Sequence, residues 1–108
     1  MQKRVRVVFA NDELENEFNN LSDNDILKKR INRVIERLKE KPNFGQPIAK
    51  KLIPNRYREL GFNNAFWVDL GKEERLIYSL ISENKEDIIA TIIEWFIRHK
   101  DYERRFRY

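Results

Sequence analysis

Apolar and polar residues alternate from Lys3 to Phe9, with Val5, Val7 and Phe9 on one side and Arg4 and Arg6 on the other. A period of two predicts a strand with one buried face. Asn11 follows as a helix N-cap residue, and the acids Asp12, Glu13 and Glu15 suit the positive end of a helix dipole. Leu14, Phe18 and Leu21 then recur at i, i+4, i+7, which predicts a short helix burying one stripe. Ser22-Asp23-Asn24-Asp25 reads as a second start, a capping-box-like sequence with Asp in place of the usual Glu or Gln. Behind it Ile26, Leu27, Ile31, Val34, Ile35 and Leu38 keep helical spacing, with Lys and Arg on the opposite face, and Pro42 bounds the helix near Lys41. Two helices joined by so little chain form a helical hairpin lying on a sheet.

The texture changes at Asn43. The segment "NFGQPIAKKLIPN" is a loop or extended connection with two prolines, and "RYRELG" alternates and stops at Gly61. "AFWVDL" and "RLIYSLIS" flank "GKEE", the signature of a β-hairpin. The last apolar block, "IIATIIEWFI", carries apolar pairs at 88/89, 92/93 and 96/97 that suit a helix. Five isoleucines and a threonine in those ten residues instead favour a strand buried on both faces. Periodicity alone does not decide between them; composition points to the strand. The expected fold is α+β: an N-terminal strand, a helical hairpin, an antiparallel sheet of three to four strands and a short C-terminal helical turn. The hairpin covers one face, and the other is left free for arginines carried on strands.

A chain of 108 residues with 41% hydrophobic content supports one core and therefore one domain, spanning 1–108. Three Gly and three Pro leave no long linker, and no internal repeat is visible. No apolar run approaches a membrane span, and the Met1-Gln2-Lys3-Arg4-Val5 start has no signal-peptide character. The absence of cysteine excludes disulfide and thiolate chemistry and fits a cytoplasmic protein. A single histidine, without clustered acids, argues against a transition-metal site, and no cofactor is expected. Lys and Arg number 22 against 18 acids, a net charge of +4. Arg56, Arg58, Arg75, Arg98, Lys100, Arg104, Arg105 and Arg107 all lie in the second half. Gathered on one surface they would attract phosphates; scattered, they merely solvate it.

Four pieces stand in a telling order: the strand and helical hairpin of residues 3–41; Gly45-Gln46-Pro47-Ile48 leading to Lys50, Lys51 and Leu52; Tyr57-Arg58-Glu59-Leu60 followed by Arg75-Leu76-Ile77-Tyr78; and His99-Lys100-Asp101-Tyr102-Glu103. Together they resemble the RelE/ParE superfamily of bacterial and archaeal toxins, on its RelE- and HigB-like side. They are similar, respectively, to that family's opening elements, its Gly-x-Pro-Leu connection, its "Y-R-L-R" and "R-V-I-Y" strands, and its terminal "H-x-x-Y". Two departures are the longer hairpin "NNAFWVDLGKEE" and the extra Arg104, Arg105, Arg107 and Tyr108 at the end. The resemblance implies a ribosome-dependent endoribonuclease toxin that cleaves messenger RNA in the A site. It also implies a cognate antitoxin that blocks the toxin in a hetero-oligomer. The ParE branch shares the fold but poisons DNA gyrase, so fold alone does not name the target. A non-catalytic basic nucleic-acid-binding domain is the third reading.

Metal-free RNA cleavage needs an acceptor for the 2′-OH proton, positive charge for the crowded phosphorane, and a proton for the departing 5′-oxygen. Arg75 offers bidentate contact to phosphate oxygens. His99, an imidazole, is the natural proton carrier. Tyr102, one helical turn later, offers a ring to stack on a base or a phenol to share the proton transfer. Arg58 completes the expected catalytic set, and Lys50, Lys51, Arg56, Lys100 and Arg104 are the expected RNA-binding cations. Trp67 and Trp95 are expected to pack in the core.

Overall fold

A computed structural model describes residues 3–71 and 73–106; the readings that fall on Met1, Gln2, Lys72, Arg107 and Tyr108 lie outside these. The elements run β1 (Arg4–Phe9), α1 (Asp12–Asn19), α2 (Ile26–Glu40), β2 (Gln46–Pro47), a 3-10 turn (Lys50–Leu52), α3 (Asn55–Glu59), β3 (Phe66–Asp69), β4 (Arg75–Ser82), β5 (Asp87–Phe96) and α4 (His99–Phe106). The class is α+β, as expected. The sheet, however, has five strands in the order β1-β5-β4-β3-β2 and is mixed, because β1 runs parallel to β5 while the other pairs are antiparallel.

The central position of β5 explains its composition. β1 and β4 pair its two edges, and both faces of its isoleucine-rich run are covered, Ala90 and Ile92 entering one core cluster and Ile93 and Phe96 the other, as the strand reading requires. On one face α1 and α2 pack Phe18, Ile31, Val34 and Leu38 against Leu76, Tyr78, Ala90 and Ile92. The side chain of Asn11 caps α1 by accepting from the Leu14 N–H. For α2 the cap is Asp25, accepting from the Leu27 N–H; Ser22 instead closes a tight turn by accepting from the Asn24 N–H at 3.2 Å. The N-cap therefore falls three residues beyond the Ser that opens the capping-box-like sequence.

The second face is not free. Ile48, Ile53, Tyr57 and Phe62 from the 48–62 segment join Tyr102 and Phe106 of α4 over Ile77, Ile93 and Phe96. The main local correction lies here: "NRYRE" is helix α3, not a strand. Pro54 occupies its N-cap with φ −60°, a value its ring fixes in advance. At the other end Gly61 takes φ +95°; its N–H bonds the Arg58 carbonyl at 2.9 Å and the Phe62 N–H bonds the Tyr57 carbonyl at 3.0 Å. That is a Schellman closure, with Phe62 and Tyr57 both entering the core below it. Pro and Gly at the boundaries of so short a segment outweigh its alternation.

Gly45 is required for space. A Cβ there would stand 2.8 Å from the Tyr78 ring and hydroxyl. Its own N–H donates to that hydroxyl at 2.9 Å, and the hydroxyl donates to the Pro42 carbonyl at 2.8 Å. Tyr78, stacked on Phe66 at 5.1 Å, thus fastens the connection after α2 to the middle of the sheet. Among the described residues no helix is long and apolar enough to cross a membrane.

Candidate functional site

Alternation along β4 sends Arg75 and Ile77 to the face covered by α4, since Leu76 and Tyr78 point to the helical hairpin. Cross-strand register does the rest. Arg75 lies opposite Asp69 on β3 and Phe96 on β5, and Trp67, paired with Ile77, is its diagonal neighbour on the same face. The guanidinium carbon sits 4.0 Å from the centre of the Trp67 ring and 4.4 Å from that of Tyr102. Each such cation–π contact contributes about 0.5–2 kcal/mol when partly desolvated. Arg75 is left only 21% exposed, with Asp69 at 3.6 Å. The two rings cover the guanidinium, so its N–H edges are the parts that remain available, held in a fixed plane.

The imidazole of His99 stacks on the Tyr102 ring at 5.8 Å, with 22° between the planes. One tyrosine ring therefore contacts both the arginine and the histidine. His99 Nε2 is 3.0 Å from Glu103 Oε1, one helical turn further on, and the imidazole is 42% exposed. A carboxylate beside Nε2 favours the N–H on that nitrogen and leaves Nδ1 as the acceptor of the ring. Tyr102 itself is fully buried, with Phe106 at 4.8 Å and Phe96 at 6.0 Å. Its ring is a platform and is not open to stack on a base, which corrects that part of the expectation.

The remaining expected residues fall into other places. Arg58 sits on α3, not on a strand; its guanidinium donates to the Lys50 carbonyl, and the two residues share a shallow cleft with Phe62 and Asn63. Lys51, Arg56 and Arg104 line a different cleft of about 520 Å³ between the 3-10 turn, α3 and the end of α4. Lys100 is exposed in the first turn of α4 and lines none of these clefts. Helix α4 thus serves two places: its beginning completes the Arg75 group and its end forms a cleft wall.

Three residues of this face had no expected role. Glu94 accepts from the Tyr57 hydroxyl and from Arg105 Nε at 3.1 Å and Nη2 at 3.4 Å. Burial first, then the negative charge of Glu94, pushes the Tyr57 phenol well above its ordinary pKa. Strict alternation from Ile92, which faces α1 and α2, would have sent Glu94 the same way. A register shift between β4 and β5 inserts Ile93 as an extra residue, and this bulge turns Glu94 toward Tyr57 and Arg105. No sequence signal marks such an insertion. Glu103, in contrast, was visible at i+4 from His99.

Among the described residues no group of three or more His, Cys, Asp or Glu is placed to hold a metal ion. Compared with known protein families, curated proteins and solved structures, the chain matches none.

Proposed function

We propose that the protein is a ribosome-dependent endoribonuclease toxin of RelE-like type, cleaving messenger RNA in the A site and neutralised by a cognate antitoxin. The observation that carries this reading is the Trp67–Arg75–Tyr102–His99 assembly: a rigidly held guanidinium and an accessible imidazole share one aromatic platform. In the proposed reaction the substrate 2′-oxygen bonds to the adjacent phosphorus. The bond from phosphorus to the 5′-oxygen breaks, and its electron pair leaves on that oxygen. The products are a 2′,3′-cyclic phosphate and a 5′-hydroxyl. His99, through Nδ1, takes the 2′-OH proton and returns it to the 5′-oxygen. The edges of Arg75 neutralise the phosphorane charge, where a preorganised cation acts most strongly. Glu103 holds the imidazole in register, and Arg58, engaged elsewhere, is left out of the catalytic set. An antitoxin segment with acidic side chains suits the basic face around α4.

Induced expression in a bacterial host, with primer extension on its transcripts, tests the reading. The expected result is translation arrest with cuts inside codons, relieved by His99→Ala and by Arg75→Ala in folded protein. Unchanged growth with intact transcripts overturns it. Intact messenger RNA with stalled topoisomerase and DNA damage replaces it with the gyrase-directed alternative.

A further inference from the structure

The cleft between the 3-10 turn, α3 and α4 gathers Lys51, Arg56, Arg104 and Arg105 around an apolar floor formed by Leu52 and Phe106. Some cations elsewhere on the surface are matched by acids: Arg4 pairs with Asp87 and Glu86, Arg6 with Glu83 and Arg30 with Glu74. In the cleft, Arg105 is matched by Glu94. Lys51, Arg56 and Arg104 have no ion-pair or hydrogen-bonding side-chain partner among the described residues, and all three are exposed. Three unmatched cations around one concavity repel one another, and low-dielectric walls focus their potential on whatever enters. A fold that collects such charges without counter-charge is complementary to an anion.

We propose that this cleft is a phosphate-binding site for a single-stranded RNA backbone, separate from the Arg75–His99 group. The volume, about 520 Å³, suits a nucleotide-sized group over an apolar floor. A duplex would call instead for a protruding element that enters a groove. α4 joins the two places: His99 lies in its first turn and Arg104 in its last, separated along the axis by roughly 8 Å at the helical rise. Five residues also rotate Arg104 by about 140° from His99, so a strand that reaches from Arg75 to the cleft passes around α4. The choice of RNA rests on the nuclease reading above; the charge complementarity does not.

The test is fluorescence anisotropy with a labelled single-stranded RNA octamer and the full chain, titrated at several salt concentrations. The triple substitution Lys51→Gln, Arg56→Gln, Arg104→Gln is compared with the charge-matched control Lys29→Gln, Arg33→Gln, Lys41→Gln on α2 and its C-cap. The cleft triple is expected to lose roughly tenfold or more in affinity, and its log–log salt slope should fall by about 0.7 for each phosphate that the variant no longer neutralises. The control triple is expected to stay within a few-fold of the parent. Equal losses in both triples, or none in the cleft triple, overturn the proposal. Cleft-dependent binding without cleavage in cells leaves the cleft standing and removes the nuclease reading; cleavage in cells with undiminished binding by the cleft triple does the reverse.

Discussion

One carboxylate joins three elements of the face that carries both candidate regions, and its removal has a calculable cost. Glu94 on β5 accepts from Tyr57 on α3 and from Arg105 on α4. Glu94→Ala leaves the Tyr57 hydroxyl, in a fully buried side chain, without its acceptor; an unsatisfied buried donor costs about 1–3 kcal/mol. The Arg105 side chain, 32% exposed, is rehydrated when freed, so its share is about 1 kcal/mol or less. The single substitution therefore destabilises by about 1–4 kcal/mol. Tyr57→Phe removes the donor but leaves Glu94 paired with Arg105, at about 1 kcal/mol. Once the hydroxyl is gone, deleting Glu94 costs only the Arg105 share, so the double variant is less destabilised than the sum by the hydroxyl's own cost, about 1–3 kcal/mol. Urea unfolding at 25 °C, followed by the fluorescence of Trp67 and Trp95, measures all four proteins. With a slope of about 1.5 kcal/mol per molar, the Glu94→Ala midpoint falls by roughly 2 M at an unchanged slope. Additivity within about 0.5 kcal/mol would refute the reasoning, because it would mean the hydroxyl and the carboxylate do not depend on each other.

Two further predictions concern pH and charge. Burial pushes the Tyr78 phenol up to about 12, so the folded state keeps its proton while the unfolded chain ionises near 10; stability is intact below about pH 10 and declines as pH rises toward the folded value. Tyr57 is displaced in the same direction. Unfolding measured from pH 8 to 12 should show this alkaline limb, and Tyr78→Phe should make it shallower while lowering stability at neutral pH through the unpaired Gly45 N–H; an unchanged limb would refute the assignment. Glu94→Gln retains an acceptor for Tyr57 but cancels the charge that holds Arg105. It should tighten RNA binding and steepen the salt dependence by about 0.7 if Arg105 then reaches a phosphate, and anisotropy titration checks this directly.

Local structure was legible wherever one rule acted alone. The N-terminal strand, the two amphipathic helices, the Asn11 cap and the hairpin of β3 and β4 follow from spacing, because a single buried face imposes a single period. "RYRELG" is misleading because alternation over so few residues competes with boundary chemistry, and Pro54 and Gly61 supply that chemistry. The proposed catalytic grouping was partly legible. Arg75, His99 and Tyr102 are brought together, whereas Arg58 and Lys50 lie in a separate cleft. For Trp67 the sequence suggests only a core ring; its second role, as one wall around Arg75, depends on cross-strand pairing with β4.

The amino-acid sequence by itself determined most of the strand and amphipathic-helix segments, and a net charge of +4. Only the tertiary structure decided that β1 pairs in parallel with β5, that the second face of the sheet is covered, and that the bulge at Ile93 turns Glu94 toward Arg105. The physical reason is range. Periodicity and capping act over a few residues, while strand order, register and the meeting of side chains from β3, β4 and α4 are set by which surfaces bury best against one another.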